Sequence, residues 1–332
     1  MKAILSTAPG GPETLIIGEL ESPEPGEGQV RIRVRACGVN YPDTLIIEDK
    51  YQFKPDRPFP PGGEVSGEID ALGPGVSEWR VGDKVIALTG HGGMAEQVIT
   101  EANRCVAMPD TMPYEEAAAL IFTYGTSYHA LKQRAEAAAG ETLLVLGAAG
   151  GVGLSAVELG KAMGARVVAA ASSEEKVALA KDRGADTGMI YERGPFDKDG
   201  TRALAKQFKD ATGPGGADII YDAVGGDYAE AALRCINWKG RFLVIGFPAG
   251  IPRIPLNLAL LKGCQIVGVF WGSFTSREVM ENRQNNRELL DMYADGRIRP
   301  HVSKQYALAD AGQAITDLAE RRAMGKIVVT ID

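Results

Sequence analysis

Residues 147 to 153 read Gly-Ala-Ala-Gly-Gly-Val-Gly. A bound phosphate needs backbone N–H donors aimed at it and no side chains in the way, and a glycine-rich turn opening a helix supplies both. The pattern is Ala148-x-Gly150-x-x-Gly153. It departs from the usual dinucleotide fingerprint only in its first place, where glycine is the rule. A small Ala is tolerated there if the position needs no left-handed backbone. Alone, the motif is weak, and its alternative is a tight strand–helix turn with no ligand. Here residues 142 to 148 read as a buried strand and 152 to 163 as a helix, the context that makes it specific. Ala149, Gly150, Gly151, Val152 and Gly153 are therefore expected to hold the pyrophosphate of a dinucleotide.

The next strand suggests which dinucleotide. NAD-binding sheets often place Asp or Glu about 20 residues on, at the end of the second strand, to hold the ribose hydroxyls. Here Ala171 takes that place, followed by Ser172, Ser173 and Lys176. Hydroxyls and an ammonium suit a 2′-phosphate, which a carboxylate would repel. Tyr191 ends the third strand at the same sheet edge, in reach of the adenine or the phosphate. The expected cofactor is NADPH. Ser173 also reads as a plain helix N-cap.

These residues need a sheet to position them. Residues 142 to 246 alternate continuous apolar strands (LLVL, RVVAAA, ADIIYDAV, GRFLVIG) with helical segments. That is the grammar of a parallel sheet covered on both faces, a doubly wound Rossmann domain. Before it the grammar differs: QVRIRVRAC (29–37) alternates with period two, and short strands punctuated by Pro and Gly follow over 64–102. This part reads as a β-rich unit, a small irregular barrel. The expected division is 1–122 β-rich, 123–265 dinucleotide-binding, and 266–332 an edge strand (CQIVGVFWG, 264–272) with a return to the first domain.

Composition bounds the partners. The chain has 332 residues, 45% hydrophobic and 24% charged, with a net charge of −7. This fits a two-domain globular protein and disfavours a nucleic-acid partner. No apolar run approaches the roughly 20 residues that span a bilayer, and the N-terminal stretch is too short in apolar residues for a signal peptide. The four cysteines are isolated, with no CxxC pair, which suits a reducing cytoplasm.

Five stretches carry a resemblance that covers essentially the whole chain: ACGVNYPD (36–43), PGGEVSGEIDALGPGV (61–76), WRVGDKV (79–85), GETLLVLGAAGGVGLSAVELGKA (140–162) and VGVFWG (267–272). On these the chain resembles the medium-chain dehydrogenase/reductase superfamily, in its zinc-independent NADPH:quinone oxidoreductase branch. The fourth stretch departs from that branch's signature at Glu158, where glutamine is usual. The resemblance implies an α/β fold, a GroES-like β-rich catalytic domain plus a doubly wound Rossmann domain. In zinc-dependent relatives a GVCxxD cysteine and a GHE histidine hold the metal. The corresponding residues here are Asn40 and Gly63, and the four-cysteine structural zinc loop is absent. No metal is expected. Without a Lewis acid, an electrophilic acceptor such as a quinone or an activated C=C bond remains reducible by hydride.

By the same resemblance, Asn40 bonds the nicotinamide ribose or the acceptor. Tyr51 is a proton donor or an aromatic wall. Thr126, Gly246-Phe247 and Val269-Phe270-Trp271 face the nicotinamide. Glu64 is a buried residue bonded to backbone, and Lys326 either approaches the cofactor or is solvated. The expected activity is NADPH-dependent reduction of quinones. The alternatives are reduction of enones or acyl-CoA thioesters, with Lys50, Lys54 and Arg57 as candidate basic contacts, and a non-catalytic NADPH-binding structural or sensor protein. A homodimer pairing through the 264–272 edge is expected, because a bare apolar edge is an aggregation hazard.

Overall fold

The computed structural model describes all residues, 1–332. The chain forms two compact units, Met1–Phe122 with Arg299–Asp332, and Thr123–Ile298. The 266–332 segment is thus divided. Its edge strand and two following helices stay with the second unit, and only the last part returns to the first.

The first unit is built around Gln29–Val39. Its period-two pattern buries Val30, Ile32 and Val34 and turns Arg31, Arg33 and Arg35 away from the core. One edge pairs antiparallel with Glu64–Leu72. The other is shared: its first half pairs with Gln97–Glu101 and its last residues with Lys326–Thr330. The main path of this seven-stranded sheet, from which Gln97–Glu101 branches, ends at Val302–Ala307 and Cys105–Ala107, which do not pair with each other, so the expected barrel is open by hydrogen bonding. Ile32, Ile47, Ile69, Val65, Val85, Met94, Ile327 and Val329 fill the core. The C-terminal return is therefore structural, since Lys326–Thr330 completes the sheet.

The second unit carries six parallel strands. In spatial order they are Thr187–Ile190, Arg166–Ala171, Thr142–Leu146, Ala217–Asp222, Ile236–Val244 and Gln265–Gly268. Numbered along the chain, this is the 3-2-1-4-5-6 order of a Rossmann sheet, whose ligands bind where the order reverses. The reversal falls between Thr142–Leu146 and Ala217–Asp222.

The edge strand is shorter than its sequence suggests. It ends at Gly268, and Trp271 already opens the helix Trp271–Arg277. The indole is buried against Gly125, where an added Cβ would lie 2.6 Å from the ring. Filling that space turns the chain out of the sheet. Of the three apolar residues expected on the open edge, only Ile266 is exposed. Val267 is buried and Val269 half-buried.

Candidate functional site

The nucleotide turn sits at the reversal point of the Rossmann sheet. Gly147 has φ +68°, a conformation that favours glycine. An added Cβ at Gly153 would fall 2.1 Å from the Gly147 carbonyl, so close helix–strand packing requires that glycine. Ala148 is buried and accommodated without positive φ. Gly150 is different. It is the N-cap of the helix Gly151–Ala162, in extended backbone, and a Cβ there would meet only the Gly147 oxygen at 3.5 Å. The protein's own packing does not demand glycine at 150, whereas close approach of a pyrophosphate would. No side chain caps this helix and no acid stands in its first turn, so its N-terminus suits an anion. Gly246 and Gly268, following strand five and ending strand six, likewise leave open Cβ positions.

Facing the turn across the reversal, Asp222 ends the fourth strand. Its Oδ1 accepts from the backbone N–H of Val224 (3.0 Å) and Gly225 (2.8 Å), which folds the following loop. Burial pushes its pKa up to about 6, against the pull of those two donors. A Cβ on Gly147 would approach Val224 Cγ2 to 2.9 Å, so this loop and the nucleotide turn are in contact.

At the end of the second strand, Ala171 is buried, and Ser172, Ser173 and Lys176 are half-buried. Ser173 is the N-cap of Glu174–Asp182, its Oγ accepting from the Lys176 N–H at 3.4 Å. Glu174 and Glu175 also stand in that first turn, which the sequence reading left out and which tempers its positive character. Tyr191 is a core residue: it is 6% exposed, with its ring 5.1 Å from Tyr228 and 6.4 Å from Phe208. An adenine-stacking role does not fit that packing. Thr126 is buried on the helix Ile121–His129, while Phe247 and Phe270 are exposed.

The first unit holds a buried polar cluster (Asn40, Asp43, Glu64 and Lys326). The register pairs Ile327 with Val39 and Gly38 with Glu64, which brings three distant segments together. Lys326 Nζ donates to Asn40 Oδ1 (2.6 Å), Glu64 Oε2 (3.1 Å) and the Val39 carbonyl (3.3 Å). Asn40 Nδ2 donates to Glu64 Oε2 (3.0 Å) and the Gly38 carbonyl (3.2 Å). Glu64 Oε1 accepts from the Phe122 N–H at 2.7 Å. Glu64 is thus buried and bonded to backbone, as read from the sequence, and also paired. Lys326 is not solvated: it is 4% exposed, and each of its three N–H groups has an acceptor. Gly38 fits because a Cβ there would sit 1.9 Å from the Ala118 oxygen.

Asp43 bridges the cluster to the loop before Glu64, accepting from the N–H of Asn40 (2.7 Å) and of Gly62 (3.1 Å). Its burial raises its pKa to about 6. Tyr51 is half-buried nearby, its phenol pushed upward by burial first and by the Asp43 charge second, so it stays protonated at neutral pH. Cys37 is fully buried against Gly62 and Gly93, and burial raises its thiol pKa well above the usual range, an inert setting. No group of three or more His, Cys, Asp or Glu side chains is arranged to hold a metal ion.

The inward, paired placement of Lys326 and the aromatic setting of His91 escaped the sequence reading. Lys326 opens the run KIVVTI, whose lack of alternation signals burial on both faces and hence a lysine that points inward. His91, in the loop beside Gly63, lies between Phe53 (5.6 Å) and Phe59 (5.7 Å), with its Nδ1 buried and unpartnered. Burial lowers its pKa.

The zinc-binding dehydrogenase family matches residues 151–291, and the alcohol dehydrogenase GroES-like domain family matches residues 26–110. Quinone oxidoreductase-like protein 2 of Bos taurus is 36% identical over 96% of this chain and 89% of its own length. The quinone oxidoreductase of Pseudomonas aeruginosa is 33% identical, over 99% of each chain. Among solved structures, a mycobacterial protein complexed with NADPH aligns with a TM-score of 0.91 at 31% identity, covering 99% of this chain and 100% of that one. The Escherichia coli quinone oxidoreductase complexed with NADPH gives 0.90 at 27% identity, with 99% and 100% covered. The chain belongs to the medium-chain dehydrogenase/reductase superfamily, in its quinone oxidoreductase branch.

Proposed function

We propose that this protein is an NADPH-dependent oxidoreductase that reduces quinones by direct hydride transfer without a metal. The observation that carries the metal-free part is the state of the two positions that hold zinc in other members of the superfamily. Asn40 there has its amide engaged by Lys326, Glu64 and Gly38, and Gly63 has no side chain at all. An ammonium already lies against Asn40 and Glu64, so a second cation at these oxygens would meet charge repulsion. The donor set does not fit zinc.

The nucleotide turn fits the cofactor. Gly150 leaves its Cβ position open, and the uncapped N-terminus of Gly151–Ala162 offers N–H donors to a pyrophosphate. Ser172, Ser173 and Lys176, with Ala171 in place of a carboxylate, favour the 2′-phosphate form, and two structural relatives were solved with NADPH. Bound NADPH supplies the hydride. The chain's own residues bind and orient it and manage one proton. Tyr51, protonated at neutral pH, is the candidate donor to the reduced oxygen and recovers its proton from solvent. Quinone, hydride and proton then balance as quinol.

One further point favours this reading over an acyl-CoA substrate: Arg57 is held by Asp49 (2.8 Å) and the Ile47 carbonyl (2.9 Å), so its guanidinium is already engaged. A panel of quinones and enones assayed with NADPH and NADH tests the reading. Quinone turnover with NADPH is expected. Turnover of enones alone favours the enoyl reductase, and tight NADPH binding without any turnover favours a sensor.

We also propose a homodimer through the Gln265–Gly268 edge of the sheet. This strand has a neighbour on one side only, Ile266 is exposed, and Trp238, Leu256, Leu260 and Leu261 of the same unit are largely exposed. Pairing of two such edges would complete the strand's hydrogen bonds and cover exposed apolar side chains. Sedimentation showing a monomer at every concentration would contradict it.

A further inference from the structure

We propose that His91 is a hydrogen-bond donor to the electron acceptor: its Nε2–H binds a carbonyl oxygen of the quinone, beside Gly63, the position that holds a zinc ligand in zinc-dependent relatives. This role rests on the quinone reading above and names the group that polarises the acceptor without a metal.

The β-rich unit holds His91 firmly. Gly90 (φ +78°) and Gly92 (φ +94°) flank it, so the loop bends sharply on either side of the histidine. Four backbone bonds fasten this loop to the 60–63 segment. Thr89 donates to the Gly63 carbonyl (3.0 Å), Gly92 to Pro60 (2.7 Å), Gly93 to Gly62 (2.9 Å) and Met94 to Pro61 (2.9 Å). A Cβ on Gly63 would stand 3.1 Å from the Gly90 carbonyl, which shows how close the two segments lie. The imidazole itself packs on two rings, tilted 31° to Phe53 and edge-on at 78° to Phe59. Phe59 is buried and carries the Arg57 guanidinium 5.3 Å from its ring centre, so that side of the packing is fixed.

A neutral imidazole has one N–H and one lone pair. Burial lowers the His91 pKa, so the ring is neutral at neutral pH. Nδ1 is enclosed and unpartnered, whereas Nε2 is the nitrogen left accessible, and it too has no partner in the chain. Buried N–H groups without an acceptor are rarer than under-satisfied acceptors. The proton therefore belongs on Nε2, and the enclosed Nδ1 keeps its lone pair. His91 thus presents one unpaired donor. A quinone oxygen carries lone pairs and no hydrogen, which matches it. Phe53, half exposed beside the imidazole, adds an apolar face for a flat ring. A hydrogen bond from Nε2–H stabilises the negative charge that develops on the carbonyl oxygen as hydride arrives. His91 keeps its proton throughout, and the hydride and the quinol proton have the sources given above.

The test compares His91→Phe, His91→Gln and His91→Asn by Tm, by NADPH dissociation constant, and by kcat/KM for quinones of graded reduction potential at saturating NADPH. His91→Phe keeps an aromatic ring and removes the donor. It should lower kcat/KM roughly tenfold to a hundredfold, less than the full cost of a preorganised donor because the ring is only half-buried, and leave NADPH binding within about twofold. Its Tm should not fall, since carbon replaces an unpartnered buried nitrogen. The loss should grow as the quinone becomes less oxidising, because a weaker electrophile depends more on polarisation. His91→Gln, whose terminal NH₂ reaches about as far as Nε2, should recover much of the rate. His91→Asn, which reaches only as far as Nδ1, should not. If Phe overfills the space and lowers Tm, His91→Leu makes the same comparison with a smaller side chain. A loss smaller than about tenfold, a loss equal for every quinone, no recovery with Gln, or NADPH binding weakened as much as the rate would overturn the inference. Wild-type protein that reduces no quinone with NADPH sinks the functional reading and this inference with it. Quinone turnover that His91→Phe leaves intact sinks the inference alone.

Discussion

Replacing Lys326 by Met should be among the most damaging single changes outside the apolar core. The ammonium and the Glu64 carboxylate lie 3.1 Å apart, with side chains 5% and 0% exposed. Removing one partner of a buried pair strands the other charge, at a cost of about 3–5 kcal/mol. Glu64 keeps two donors, the Phe122 N–H and Asn40 Nδ2, which places the expected loss near the lower end. Domains of comparable size shift by roughly 2–4 °C per kcal/mol, so a fall in Tm on the order of 10 °C follows. Adding Glu64→Gln removes the stranded charge and should restore more than half of the loss, because the Met stem still fills the lysine's place. Scanning calorimetry of wild type, both single variants and the double variant gives the cycle. A loss under about 1 kcal/mol, or no recovery in the double variant, would refute the ion-pair argument and leave only side-chain packing.

Two further outcomes follow from the Rossmann unit. Because burial raises the Asp222 pKa to about 6, the folded chain binds that proton more tightly than the unfolded chain; stability is full below about pH 4 and falls as pH rises to about 6. Both N–H bonds fall on Oδ1, so Asp222→Asn keeps them and should gain roughly 1–3 kcal/mol at about pH 8 and almost nothing at about pH 4, as read from denaturant midpoints. A uniform loss at both pH values would count against it. Lys176→Ala should weaken NADPH roughly tenfold while hardly touching NADH, and Ala171→Asp should shift preference the other way; equal effects on both cofactors would mean the 2′-phosphate pocket lies elsewhere.

Local grammar made the Rossmann unit legible. The glycine turn announces itself within seven residues, and continuous apolar strands between helical segments imply the doubly wound sheet. What depended on distant pairing was not legible. The inward aim of Lys326 needs Ile327 opposite Val39, a contact made 286 positions along the chain from Asn40. Val302–Ala307 escaped notice because VSKQYA is a polar edge strand, paired only with Lys326–Thr330. The stretch 264–272 read as one strand because composition does not reveal that the Trp271 indole must turn in to cover Gly125. Ser173 and Tyr191 show the converse. Their positions near a nucleotide edge were legible, but one is also an N-cap and the other packs on Tyr228.

The most direct test of the account follows NADPH consumption and quinol formation together, using protein of measured metal content before and after exhaustive chelation. The account predicts one quinol per NADPH, at a rate that chelation leaves unchanged and added zinc does not raise. Turnover that disappears with the chelator and returns with stoichiometric zinc would contradict it.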